Sequence, residues 1–294
     1  MAGFRDGLFF DDVMILPRHS EVAAASVTLE TRLSDSVLLH VPFLSSARQP
    51  SADYRLALAV ARAGGMGIIP PGATIEDQAH EVRKVKELVC GDPGAACDAK
   101  GRPAVGAVVD VEQEGVLERI GMLAEVWTDV IVVDVPHADR LSILQQIRMI
   151  KAEYDWMPLM VGSVETRSGA KDIIDAGADI VLVGRGSSSL AEATELSGVG
   201  VPELSALMEA EDVASLYGKP VVCNLGVETA ASAVKALAAG AGAVVLHRLT
   251  PETAEDAMRS MRRQLSESLS YVGAQTIAEL REKAEFVRIH PRGV

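Results

Sequence analysis

Short runs of Val, Ile and other apolar residues recur along the chain, and each is followed by a stretch with helical apolar spacing. The runs are Val41–Ser46, Met66–Ile69, Ala104–Asp110, Val130–Asp134, Pro158–Ser163, Asp179–Gly184, Pro220–Asn224 and Ala243–His247. The stretches that follow them are Asp53–Ala63, Ile75–Val89, Gln113–Glu125, Ser142–Glu153, Arg167–Ala176, Pro202–Tyr217, Thr229–Ala239 and a long one from Pro251 to about Leu269. The runs do not alternate polar and apolar positions. This predicts strands buried on both faces, as in a parallel sheet, with the helices as crossovers. Ala-Gly-Ala tripeptides at Ala176–Ala178 and Ala239–Ala241 put glycine where a helix ends in a left-handed residue. Eight strand–helix units predict an α/β fold, a (β/α)8 TIM barrel in a single domain. A doubly wound open sheet is the rival arrangement. On this reading, residues 1–40 are an N-terminal extension packing on the barrel, 41–271 the barrel and 272–294 a C-terminal tail.

Composition narrows the partners. The chain has 294 residues, 48% hydrophobic and 23% charged, as expected of a folded globular domain. Its net charge of −13 argues against nucleic acid or an anionic membrane as partner, because both need surplus Lys and Arg. A small anion held locally stays compatible. No apolar run reaches the ~18 residues of a membrane span. Met1–Asp12 carries Asp6, Asp11 and Asp12 rather than a basic-then-apolar leader, so a cytoplasmic location is expected. Cys90, Cys97 and Cys223 fit neither a zinc pattern nor a disulfide framework. Three reduced thiols and no metal site are expected.

In such barrels chemistry sits where strands give way to helices. The Gly184-Arg185-Gly186-Ser187-Ser188-Ser189 loop could offer backbone N–H groups to a phosphate, or could be an ordinary surface loop. Asp134 ends the fourth strand with His137 three residues later, a spacing that suits acid/base work or a plain structural pair. His247 and Arg248 end the eighth strand, where barrels often hold phosphate. Arg248 could pair with phosphate or with an acid such as Glu228 or Glu252. If Asn224 faces the mouth, alternation turns Cys223 into the core.

Several stretches make the chain resemble the IMP dehydrogenase/GMP reductase family. They are Phe10-Asp11-Asp12-Val13-Met14-Ile15-Leu16-Pro17, Gly64-Gly65-Met66-Gly67-Ile68-Ile69 with Thr74-Ile75-Glu76-Asp77-Gln78, Gly198-Val199-Gly200-Val201-Pro202, and Val234-Lys235-Ala236-Leu237-Ala238-Ala239-Gly240-Ala241. Gly273-Ala274-Gln275-Thr276-Ile277 and Phe286-Val287-Arg288-Ile289 add to them. The resemblance implies a (β/α)8 barrel, usually a tetramer, that oxidises IMP or reduces GMP through a cysteine attacking purine C2.

The departures are concerted. The family loop Gly-x-Gly-x-Gly-Ser-x-Cys-Thr-Thr aligns here without gaps and places Ala191, Glu192 and Ala193 at its Cys-Thr-Thr. An alanine methyl cannot form the covalent intermediate. The family's ribose-binding Asp corresponds to Asn224, its next Gly to Leu225, and the following Gly is kept as Gly226. The phosphate-binding Gly-Ser is His247-Arg248, the Met-Asp-Thr after the first strand is Arg48-Gln49-Pro50, and the Asn after the fifth is Ser163. Asp134 matches the family Asp at the nicotinamide-ribose end, and the Gly four residues on is Ala138. Cys90–Pro103 stands where the dehydrogenases insert CBS domains, and the catalytic flap after the eighth strand is absent.

Two readings follow. The first is a catalytically inactive family barrel that binds a purine nucleotide or assembles with a partner, as a homo-tetramer or with a family paralogue. The second is a repurposed enzyme acting on a phosphorylated or nucleotide-like substrate, with Asp134, His137 and His247 as its candidate catalytic residues. Ser189, Gly226, Asn224, Arg248 and Arg185 are the candidate phosphate or nucleotide contacts in both. No cofactor is expected from the residues themselves, and NAD(P) enters by resemblance only.

Overall fold

The computed structural model describes residues 5–184 and 198–289. Eight parallel strands make the central sheet: β4 (Phe43–Ser45), β5 (Gly67–Ile69), β6 (Val105–Val108), β7 (Val130–Asp134), β8 (Leu159–Val164), β9 (Ile180–Val183), β10 (Val221–Cys223) and β11 (Ala243–Leu246). Each pairs with its sequence neighbour, and β11 pairs with β4 through Val244 opposite Phe43. A parallel bridge between Leu44 and Met66 joins β4 to the entry of β5 and closes the ring. The fold is a (β/α)8 barrel, which rules out the open sheet.

Alternation explains why the strands are apolar throughout. Leu44, Ile68, Val130, Val132, Met160, Ile180, Leu182, Val222, Ala243 and Val245 fill the barrel interior. Their neighbours Ile131, Val133, Val161, Val181, Val183, Cys223 and Val244 pack outward against the helices. A hairpin of β2 (Thr31–Ser34) and β3 (Val37–Leu39) plugs the N-terminal end, placing Leu33, Val37 and Leu39 in the interior cluster.

The helices start on side-chain caps. Asp53 accepts from Arg55 N and Leu56 N at α1 (Tyr54–Arg62). Thr74, Thr166 and Thr229 cap α2 (Ile75–Lys86), α5 (Arg167–Ala176) and α7 (Ala230–Ala238) in the same way. Asp53 is therefore a cap and not the first helical residue. Between these lie α3 (Val116–Glu125), α4 (Leu141–Glu153) and α6 (Glu203–Ala214). Gly177 and Gly240 turn the chain from helix to strand at φ of +118° and +111°.

After α8 (Ala254–Val272) the chain forms α9 (Ile277–Lys283) and β12 (Phe286–Arg288). Strand β12 pairs antiparallel with β1 (Val13–Ile15). The N-terminal segment is pinned where Lys235 Nζ donates to Phe10 O at 2.9 Å and Leu204 N to Leu8 O at 3.0 Å.

The expectation of three reduced thiols is corrected: Cys90 and Cys97 form a disulfide with Cα atoms 6.5 Å apart. A turn between them, with Gly94 N donating to Asp92 Oδ1 at 2.7 Å, folds the intervening residues back and brings the pair into bridging range. Cys223 remains a free thiol, and complete burial pushes it up to about 12.

Candidate functional site at the barrel mouth

The same alternation that fills the interior selects the residues at its C-terminal rim. Asp134 follows Val130 and Val132, Asn224 follows Val222, and His247 follows Ala243 and Val245, each one step above the last interior apolar side chain. Ser45, Ser46, Asp134 and Asn224 line a cavity of about 20 Å³ above Met160 and Leu182, roughly the space of one water.

Arg48 reaches across this rim. Its Nε donates to Asp134 Oδ2 at 2.8 Å and its Nη2 to Asp134 O at 3.1 Å. The hydrogen bond to Asp134 raises the Arg48 pKa further above its ordinary value. The Ser163 hydroxyl donates to Gly184 O at 2.6 Å, and its oxygen lies 3.3 Å from Asp134 Oδ1. Two of the five guanidinium N–H groups are thus committed, and the side chain is 49% exposed.

His247 Nε2 lies 3.1 Å from Asn224 Oδ1. The amide oxygen only accepts, so this contact is a hydrogen bond in the tautomer with the proton on Nε2. Burial holds the His247 pKa below its ordinary value, against the opposing pull of Asp134 and Glu228. The imidazole is therefore neutral near pH 7.

The structure brings Asp134, Asn224 and His247 together at one rim. Arg248 adopts left-handed backbone at φ +64° and turns outward, its Nη2 3.4 Å from Glu228 Oε1. Gly226 also lies in the left-handed region, at φ +53°. Leu225 is buried and packs over Gly184, where a Cβ would meet Leu225 Cδ2 at 2.1 Å. His137 lies to one side, lining a cavity of about 140 Å³ with Ser163, Glu165 and Val199. Arg185, Ser189 and Ala191 lie outside the described residues. Arg48 is absent from the sequence-derived candidates. Its signal is a cation directly after the first barrel strand, set on the same rim as Asp134.

The fold and this rim define a parallel barrel with its polar groups gathered at the C-terminal mouth. The family model for the IMP dehydrogenase / GMP reductase domain matches residues 7–261. An inosine-5'-monophosphate dehydrogenase of Cryptosporidium parvum is 33% identical over 85% of this chain and 69% of its own length. Those of Borreliella burgdorferi and Aquifex aeolicus are 29% and 26% identical, covering 94% and 97% of this chain and 78% and 93% of their own lengths. The chain belongs to the IMP dehydrogenase/GMP reductase family. The Aquifex aeolicus alignment runs over 458 positions against a chain of 294, so that relative carries long stretches with no counterpart here.

Proposed function

We propose that this chain is a family barrel without the family's covalent chemistry, and that its mouth binds a phosphorylated ligand of the purine nucleotide type. The observation that carries the reading is Ala191 at the position where the family places its nucleophile. The rim fits a binding role. Arg48 keeps three N–H groups beyond its bonds to Asp134 and is half exposed, so it can meet a phosphate without leaving the carboxylate. Asn224 and His247 offer neutral polar groups beside it.

NAD(P) enters by resemblance only. The Asp134 carboxylate that a ribose diol would need already accepts from Arg48 at 2.8 Å. No hydride step is therefore assigned. The repurposed-enzyme reading is favoured by one observation, the neutral imidazole of His247 at the rim, which suits a general base.

The test is calorimetric titration of the purified chain with IMP, GMP and XMP, alongside NADH formation from IMP and NAD. Saturable micromolar binding of one nucleotide with no NADH is expected. NADH formation overturns the loss of covalent chemistry, and no heat at millimolar nucleotide overturns the binding role. Association as a homo-tetramer or with a paralogue belongs to the same proposal, and sedimentation of the chain alone tests it.

A further inference from the structure

A second cavity, of about 470 Å³, opens on the flank of the barrel between α1, α8 and the loop before β6, built from residues the mouth does not use. Arg62, Arg259 and Arg262 line it, with Asp92 and Glu255 and an apolar floor that includes Met258. Arg259 and Arg262 are three apart on α8 and so share a face. Arg259 Nη1 is held by Asp256 at 2.8 Å.

Among the described residues, neither Arg62 nor Arg262 has an ion pair or a side-chain hydrogen bond. Asp92 and Glu255 line the same cavity but neither pairs with Arg62 or Arg262, so two guanidinium groups with unbonded N–H line a space the size of a small-ligand pocket. Planar guanidinium groups match phosphate oxygens in pairs. The wall opposite is fixed in advance. The Cys90–Cys97 disulfide closes it, Cys90 N donates to Gly101 O at 2.9 Å, and Ala96 N donates to Ala61 O at 2.8 Å, tying the loop under α1.

We propose that this cavity binds a small phosphate-bearing anion, held by Arg62 and Arg262 with Arg259 at the rim, and that the Cys90–Cys97 disulfide holds its wall in place. The probe is inorganic pyrophosphate, titrated calorimetrically into the full oxidised chain at low ionic strength. Saturable binding is expected, weakened at least tenfold in the R62A/R262A double variant and three- to tenfold in C90S/C97S. Both arginines are exposed on helix surfaces, and a melting curve confirms that the double variant folds. No saturation at millimolar pyrophosphate overturns the proposal. So does unchanged affinity in R62A/R262A, or a loss in R248A instead, which would move the site to the mouth. Unchanged affinity in C90S/C97S overturns the disulfide's part.

Discussion

Three aspartates stand at strand ends, two at the base of the barrel and one at its mouth. At the base, Asp129 Oδ2 accepts from Lys86 Nζ at 2.6 Å and from Val105 N at 2.7 Å. Asp179 Oδ2 repeats the device, with Lys151 Nζ at 3.0 Å and Leu159 N at 3.1 Å, and its Oδ1 adds Lys219 at 3.1 Å. At the mouth, Asp134 takes Arg48 and no backbone N–H among the described residues. The side chains of Asp129 and Asp134 are almost equally hidden, at 8% and 10% exposed. Their partners are not: Lys86 is 1% exposed and Arg48 49%. A buried cation tied between Asp98 and Asp129 has no alternative to its pair, whereas the half-exposed Arg48 keeps further N–H groups for water or for an arriving anion. The base is built to hold and the mouth to exchange.

The comparison breaks first at Lys86. Lys86→Ala leaves Asp98 and Asp129 buried without their cation, and the expected loss is about 3–5 kcal/mol in denaturant unfolding. A loss below about 1 kcal/mol would put the base pair in the same class as the mouth pair. Leu39→Ala opens a void in the plug under the interior cluster and should cost about 3 kcal/mol by the same measurement. An unchanged midpoint would mean that the hairpin contributes nothing to holding the base.

Glu211 sharpens the contrast as a carboxylate with neither device. Burial raises its pKa to about 7, against the pull of Arg281 and with the help of Asp212. The native state therefore holds a proton that the unfolded chain releases near pH 4.5, and stability should fall as pH rises from about 4.5 to about 7, then level off. Because the group is partly solvated, the loss should be about 1–2 kcal/mol, less than the shift alone implies. Glu211→Gln should flatten the profile and be the more stable chain at pH 8. An unchanged pH profile in the variant would remove Glu211 as the source.

The barrel was legible because its unbroken apolar runs, each followed by helical spacing, and its glycine-terminated helices are local properties of the chain. The positions of Asp134, Asn224 and His247 were legible as strand ends, and the structure sets them one step above the interior apolar column. Two features were not. The Cys90–Cys97 bridge depends on a turn at Asp92 and Gly94 that spacing alone does not specify. The Arg48–Asp134 pair joins residues 86 apart in sequence through closure of the ring, and no local pattern carries that separation. Arg248 illustrates the limit differently. Its charge was evident and Glu228 was one of the partners expected for it, but its left-handed backbone was not legible.

The smallest expected change in stability tests the mouth most directly. Arg48→Ala removes a half-exposed pair and should cost less than about 1 kcal/mol in unfolding, unlike Lys86→Ala. Its effect on ligand should be larger than its effect on folding. If the free N–H groups of Arg48 meet phosphate, IMP binding should weaken at least fivefold while the unfolding midpoint hardly moves. Tighter binding in the variant would give Arg48 the opposite role, a plug over Asp134 that has to leave before a ligand enters. The sign of the affinity change therefore separates a cation that recruits phosphate from one that guards a carboxylate.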